Sequence, residues 1–137
     1  MRILIVEDME APLWSFGIVI KELGDGHIVH IAKWYLQAKE MLGENQYDVV
    51  FLDHRMPYDK PRCTEDEDFK KFCAQLQDIG YGLIDFIHEK SPTTVIIGTS
   101  TLPREKIEEG GYGVPDRTVE KIDIQRKFSG IIAELSR

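Results

Sequence analysis

Three acids stand directly after apolar runs: Glu7 and Asp8 close "ILIVED", and Asp53 closes "DVVFLD". A hydroxyl, Thr99, follows "VIIG" with Ser100 beside it, and an ammonium, Lys121, follows "TVE". If one fold gathers the three carboxylates, their repulsion calls for a cation, and such hard oxygen ligands suit Mg²⁺ over a softer transition metal. An ammonium and a hydroxyl facing them complete a site for a phosphoryl group. The cation and lysine neutralise its oxygens, the hydroxyl donates a hydrogen bond, and one carboxylate attacks phosphorus. Taken singly, each acid reads equally well as a helix cap, so the chemistry rests on the conjunction.

The elements that must do the gathering are legible as alternating periods. Continuous apolar runs at residues 2–6, 27–31, 47–52 and 93–99, with a weaker one at 117–120, read as strands covered on both faces. Between them, residues 11–23 place Leu13, Phe16, Ile20 and Leu23 on one helical stripe, with Pro12 in the first turn and Gly24 and Gly26 as a stop. Residues 33–43, 82–90 and 122–136 repeat the helical pattern. The alternation predicts an α/β fold: a doubly wound, five-stranded parallel sheet of flavodoxin-like order 2-1-3-4-5, with right-handed crossovers and helices on both faces. Ligands in such sheets bind beyond the carboxyl ends of the strands at the switch in strand order, here between the first and third strands, which end in Glu7-Asp8 and Asp53.

The chain has 137 residues, 42% of them hydrophobic and 30% charged, which suits a single packed domain over residues 1–137. Its net charge of -7 offers no basic footprint, so no direct nucleic-acid partner is expected. No apolar run approaches the roughly 20 residues that span a bilayer, and "MRILIVED" turns acidic too soon for a signal peptide. No membrane partner and a cytoplasmic location are expected. Cys63 and Cys73, ten residues apart, match neither a disulfide framework nor a common metal site and read as reduced thiols.

Taken in order, "ILIVED", "DVVFLDHRMP", "VIIGTS" and Lys121 resemble the receiver domain of two-component response regulators. The likeness covers nearly the whole chain, and the twenty-two residues from Thr99 to Lys121 fit the family's usual gap. It implies that Asp53 accepts a phosphoryl group from a histidine kinase or phosphotransfer protein. It also implies that Glu7 and Asp8 hold Mg²⁺ together with Asp53 and the main-chain carbonyl of Arg55. Thr99 would move toward the arriving phosphoryl oxygen, Lys121 would pair with it, and hydrolysis by an in-line water would reset the switch. On that resemblance the protein is a stand-alone response regulator, a timed signal instead of a metabolic enzyme. With no output domain expected after the last helix, it signals through a partner, an oligomer or onward phosphotransfer.

Three features depart from the family pattern. Ile122 follows Lys121 where a proline is usual, and Thr118 stands where many receivers carry an aromatic that swings with the switch hydroxyl. Tyr112 is a candidate substitute for that aromatic. An insertion of about residues 58–79 separates Pro57 from Gly80. Within it, Thr64 and Glu67 form a capping-box signature, and Phe69, Phe72, Cys73 and Leu76 fall on one stripe. This predicts an extra helix between the third strand and third helix, which either covers core, forms a lid over Asp53, or selects a kinase or target.

Smaller signals carry less. His27 and His30 fall on opposite faces of a strand and cannot share an ion, "GGYG" reads as a turn, and Arg55 is either solvated or beside the path of the hydrolytic water. Three functions follow: a phosphorylation-dependent switch, a receiver-like adaptor that is not phosphorylated, or an Asp-dependent phosphatase. The last is disfavoured because Arg55 occupies the position where such enzymes need a second acid.

Overall fold

The computed structural model describes residues 1–137, and its core is a parallel sheet of five strands: β1 (Arg2–Val6), β2 (Ile28–Ala32), β3 (Val49–Leu52), β6 (Val95–Gly98) and β7 (Arg117–Thr118). The order β2-β1-β3-β6-β7 is the flavodoxin-like arrangement expected. Register is what matters for function. Val6 pairs with Leu52, Leu52 with Gly98, and Gly98 with Thr118, so the strands end level. The ladder continues one step beyond each end. Glu7 N donates to Ala32 O at 3.0 Å, Asp53 N to Val6 O at 3.2 Å, and Thr99 N to Leu52 O at 2.9 Å.

Side-chain alternation splits the interior into two layers. Ile3, Ile5, Val49, Phe51 and Ile97 face α1 (Glu10–Glu22) and α6 (Ile124–Leu135). Leu4, Val6, Val50, Leu52 and Ile96 face α2 (Tyr35–Glu44), α4 (Leu83–Lys90) and α5 (Arg104–Glu109). In the first layer the rings of Phe16, Phe51 and Phe128 meet pairwise at 5.0 to 6.0 Å between centroids, joining α1, β3 and α6 directly behind the strand that delivers Asp53. Helix α5 has no counterpart among the sequence expectations, because Ile107 alone among its six residues is buried and no stripe forms.

The insertion departs from its expected form. Its helix α3 spans only Phe69–Ala74 and begins later than the capping box predicts. Asp68 takes the cap, its Oδ1 accepting Lys71 N at 3.1 Å, while Thr64 Oγ accepts Glu67 N at 3.2 Å in a preceding turn. Of the predicted stripe Phe72 is buried, but Phe69 is 58% exposed and Leu76 lies in a strand. That strand, β5 (Leu76–Asp78), pairs antiparallel with β4 (Arg55–Pro57) to make a small ribbon. Ile79 N donates to His54 O, so by the alternation of antiparallel pairs Pro57 faces Leu76 where no donor is required.

Phe51→Ala should lower stability by about 3–5 kcal/mol, read as a drop in urea midpoint at unchanged slope. A loss under ~1 kcal/mol would show that the ring cluster does not anchor β3.

Candidate functional site

Level strand ends place the predicted residues together. Glu7, Asp8 and Asp53 are 1%, 8% and 3% exposed, and one carboxylate oxygen from each lies within 4.8 Å of the others. Lys121, from the turn that follows β7, brings its ammonium between two of them. It donates to Asp53 Oδ2 at 3.0 Å and to Glu7 Oε1 at 3.3 Å, with Glu7 Oε2 at 3.1 Å. It does so with Ile122, not proline, as its neighbour, and the Ile122 side chain points to solvent. Asp53 Oδ1 accepts the N–H of His54 at 2.9 Å, and Glu7 Oε1 accepts that of Met9 at 3.1 Å.

One ammonium does not balance three buried carboxylates. Both oxygens of Asp8 and the hydroxyl of Thr99 are buried without a hydrogen-bond partner. Burial, and then the negative charge of Asp53, push Glu7 up to about 8 despite the opposing Lys121. The same two causes push Asp8 up to about 6. Burial pulls the Lys121 ammonium down, but Asp53 and Glu7 more than reverse this and hold it above its ordinary value. Orphaned hard oxygens at an excess of negative charge fit a divalent cation such as Mg²⁺. The main-chain carbonyl of Arg55 is also available, because the ladder alternation that seats Pro57 leaves Arg55 outside the β4–β5 hydrogen bonds.

A crevice of about 270 Å³ opens over Asp53, walled by Arg55, Asp78, Ser100, Thr101, Leu102 and Lys121. Asp78 comes from the inserted ribbon, with its carboxylate 3.9 Å from the Arg55 guanidinium, so the insertion forms part of the rim. Its other end also touches the site's surroundings: Glu65 Oε2 accepts the N–H of Glu10 at the start of α1, two residues from Asp8. His27 lies outside any strand, and His30 pairs with the hydroxyl of Tyr47 at 2.7 Å.

Three residues at the site have no sequence signal of their own. His54 is 2% exposed, and its Nδ1 accepts the N–H of Tyr81 at 3.0 Å; burial holds the imidazole below its ordinary pKa. Tyr81 is fully buried, its hydroxyl pushed up to about 12 by burial. Gly80 packs so closely that a Cβ would land on the carbonyl oxygen of Asp53. Tyr112 meets His54 edge-on at 4.9 Å, and Thr118 is exposed.

No protein-family model matches the chain, and no curated protein matches it in sequence. Solved structures do. The Francisella response regulator 1452 receiver domain is 20% identical with TM-score 0.67, covering 98% of this chain and 94% of that one. The response regulator domain of Thermotoga maritima CheB is 20% identical with TM-score 0.66, covering 99% and 93%. A CheY-like receiver domain protein from Methanospirillum hungatei is 18% identical with TM-score 0.63, covering 98% and 95%. The chain has the fold of response regulator receiver domains across nearly its whole length.

The raised carboxyls fix the sign of two pH effects. A carboxyl whose folded pKa is raised keeps its proton in the native state after the unfolded chain has lost it. Cation-free stability therefore falls as pH rises from the ordinary 4.5 of Glu7 through about 8. A cation must displace the same protons, so Mg²⁺ affinity by calorimetry should strengthen at least ~10-fold from pH 6 to pH 8, with proton release. Affinity independent of pH would place the cation elsewhere.

Proposed function

We propose that the protein is a receiver that accepts a phosphoryl group on Asp53 from a histidine kinase or phosphotransfer protein and signals through protein–protein contact. One observation carries the reading: Asp53 lies at the floor of a crevice, bound by Lys121 at 3.0 Å, inside a buried acid cluster with unpartnered oxygens. In the transfer an Asp53 oxygen forms a bond to phosphorus, the phosphorus–nitrogen bond of the donor breaks, and the imidazole departs.

Lys121, already bound to Asp53 Oδ2, stays charged and offers its remaining donor capacity to the phosphoryl oxygens. Thr99 Oγ, buried and unpartnered one residue past the end of β6, gains an acceptor. Glu7, Asp8, Asp53 and the Arg55 carbonyl would hold Mg²⁺, which when bound neutralises charge on the transferring group. Hydrolysis of the acyl phosphate by water through the crevice ends the signal, so turnover serves timing and not metabolism.

No helix is long and apolar enough to cross a membrane, and the reading places the protein in the cytoplasm with its kinase. On this reading its downstream partner is a protein, with no direct contact to nucleic acid or membrane.

Incubation with acetyl phosphate and Mg²⁺ should add one phosphoryl mass to the intact protein, and Asp53→Asn should abolish it. Lys121→Ala should slow the reaction about 100-fold, the scale of losing a charge-stabilising group. A protein that stays unmodified by acetyl phosphate and by phosphorylated histidine donors is instead a receiver-like adaptor.

A further inference from the structure

A continuous run of main-chain donors leads from Asp53 to the Thr99–Ser100 segment by way of Tyr81. Asp53 Oδ1 accepts the N–H of His54 at 2.9 Å, and His54 Nδ1 accepts the N–H of Tyr81 at 3.0 Å. The Tyr81 hydroxyl then accepts the N–H of Ser100 at 3.3 Å. The imidazole packs against two rings, with the Tyr81 centroid at 4.6 Å and the Tyr112 centroid, its plane steeply inclined, at 4.9 Å. Glycine at position 98 is what admits the tyrosine, since a Cβ there would land on its hydroxyl. Thr118 is exposed and has no ring to offer.

We propose that Tyr81 is the positioning residue that couples the state of Asp53 to the Thr99–Ser100 segment, the role left without an aromatic at position 118. The proposal rests on Asp53 being the phosphoryl acceptor. Thr99 Oγ is buried and has no partner, so a phosphoryl oxygen on Asp53 draws residue 99 toward it. The next residue's N–H is held by Tyr81 at 3.3 Å, beyond the usual 2.7–3.2 Å of such bonds, so this is the link in the run most easily given up. Two arrangements therefore compete: Ser100 N–H on the Tyr81 hydroxyl, or Thr99 Oγ on the phosphoryl group. Phosphorylation tips the balance only because the first is weak.

Hydrogen exchange of the Ser100 amide, followed by NMR, reads this competition directly. In the wild-type protein, acetyl phosphate with Mg²⁺ should speed that exchange. Tyr81→Phe keeps the ring and removes the acceptor, so exchange should already be about five-fold faster before phosphorylation, the scale of one neutral hydrogen bond. Phosphorylation should then change it less than two-fold, while Thr118→Ala keeps the full wild-type response.

A wild-type Ser100 amide that ignores a phosphoryl group seen in the mass spectrum overturns the coupling. So does a Tyr81→Phe response equal to wild type, or a Thr118→Ala protein that loses the response. A wild-type protein that takes no phosphoryl mass overturns the acceptor reading itself, an outcome the same spectrum separates from the others.

Discussion

The structure depends on one ammonium shared between two buried carboxylates, with a third left over. Burying an unpaired carboxylate is costly, and the cost is met by proton uptake, by a counter-ion, or by both. Lys121 satisfies Asp53 and Glu7 together, while Asp8 retains two bare oxygens. The remaining charge suits the site to a cation, and the Thr99 hydroxyl beside it is left without a partner. The surplus at the strand ends is thus a stored disposition to bind, held in place by the sheet.

Holding it requires register more than strength. Glu7, Asp53 and Thr99 come from three strands and converge because those strands end level and each ladder runs one residue further. Behind them the Phe16, Phe51 and Phe128 cluster fixes β3 from one face, and Tyr81 and Ile84 pack the other. Gly80 then brings the turn before α4 against the Asp53 carbonyl, which confines the backbone at Asp53. Within that confinement small displacements of the Thr99–Ser100 segment have few ways to be absorbed, a condition for two discrete states.

Much of this was legible in the sequence. Apolar runs ending in acids mark β1 and β3 and the residues they deliver, and Lys121 stands against Asp53 and Glu7 despite the missing proline. The remainder fails for physical reasons. The ribbon of β4 and β5 is three residues a side and contains Pro57, too short for any period to show. Helix α5 buries only Ile107. The cap of α3 passed from Thr64 to Asp68 because four consecutive acids offer competing caps, and only contact decides among them. Tyr81 and His54 carry no periodic signal; their importance lies in what each touches across the fold.

If Asp53 is the acceptor, its carboxylate forms an acyl phosphate. Borohydride reduction of the protein after incubation with phosphodonor and Mg²⁺, followed by peptide mass mapping, tests it at the level of the bond. Reduction of the acyl phosphate converts that aspartate to homoserine. Homoserine is expected at position 53 alone. Conversion at Asp8, an equivalent product at Glu7, or no conversion in a sample carrying a phosphoryl group would contradict it.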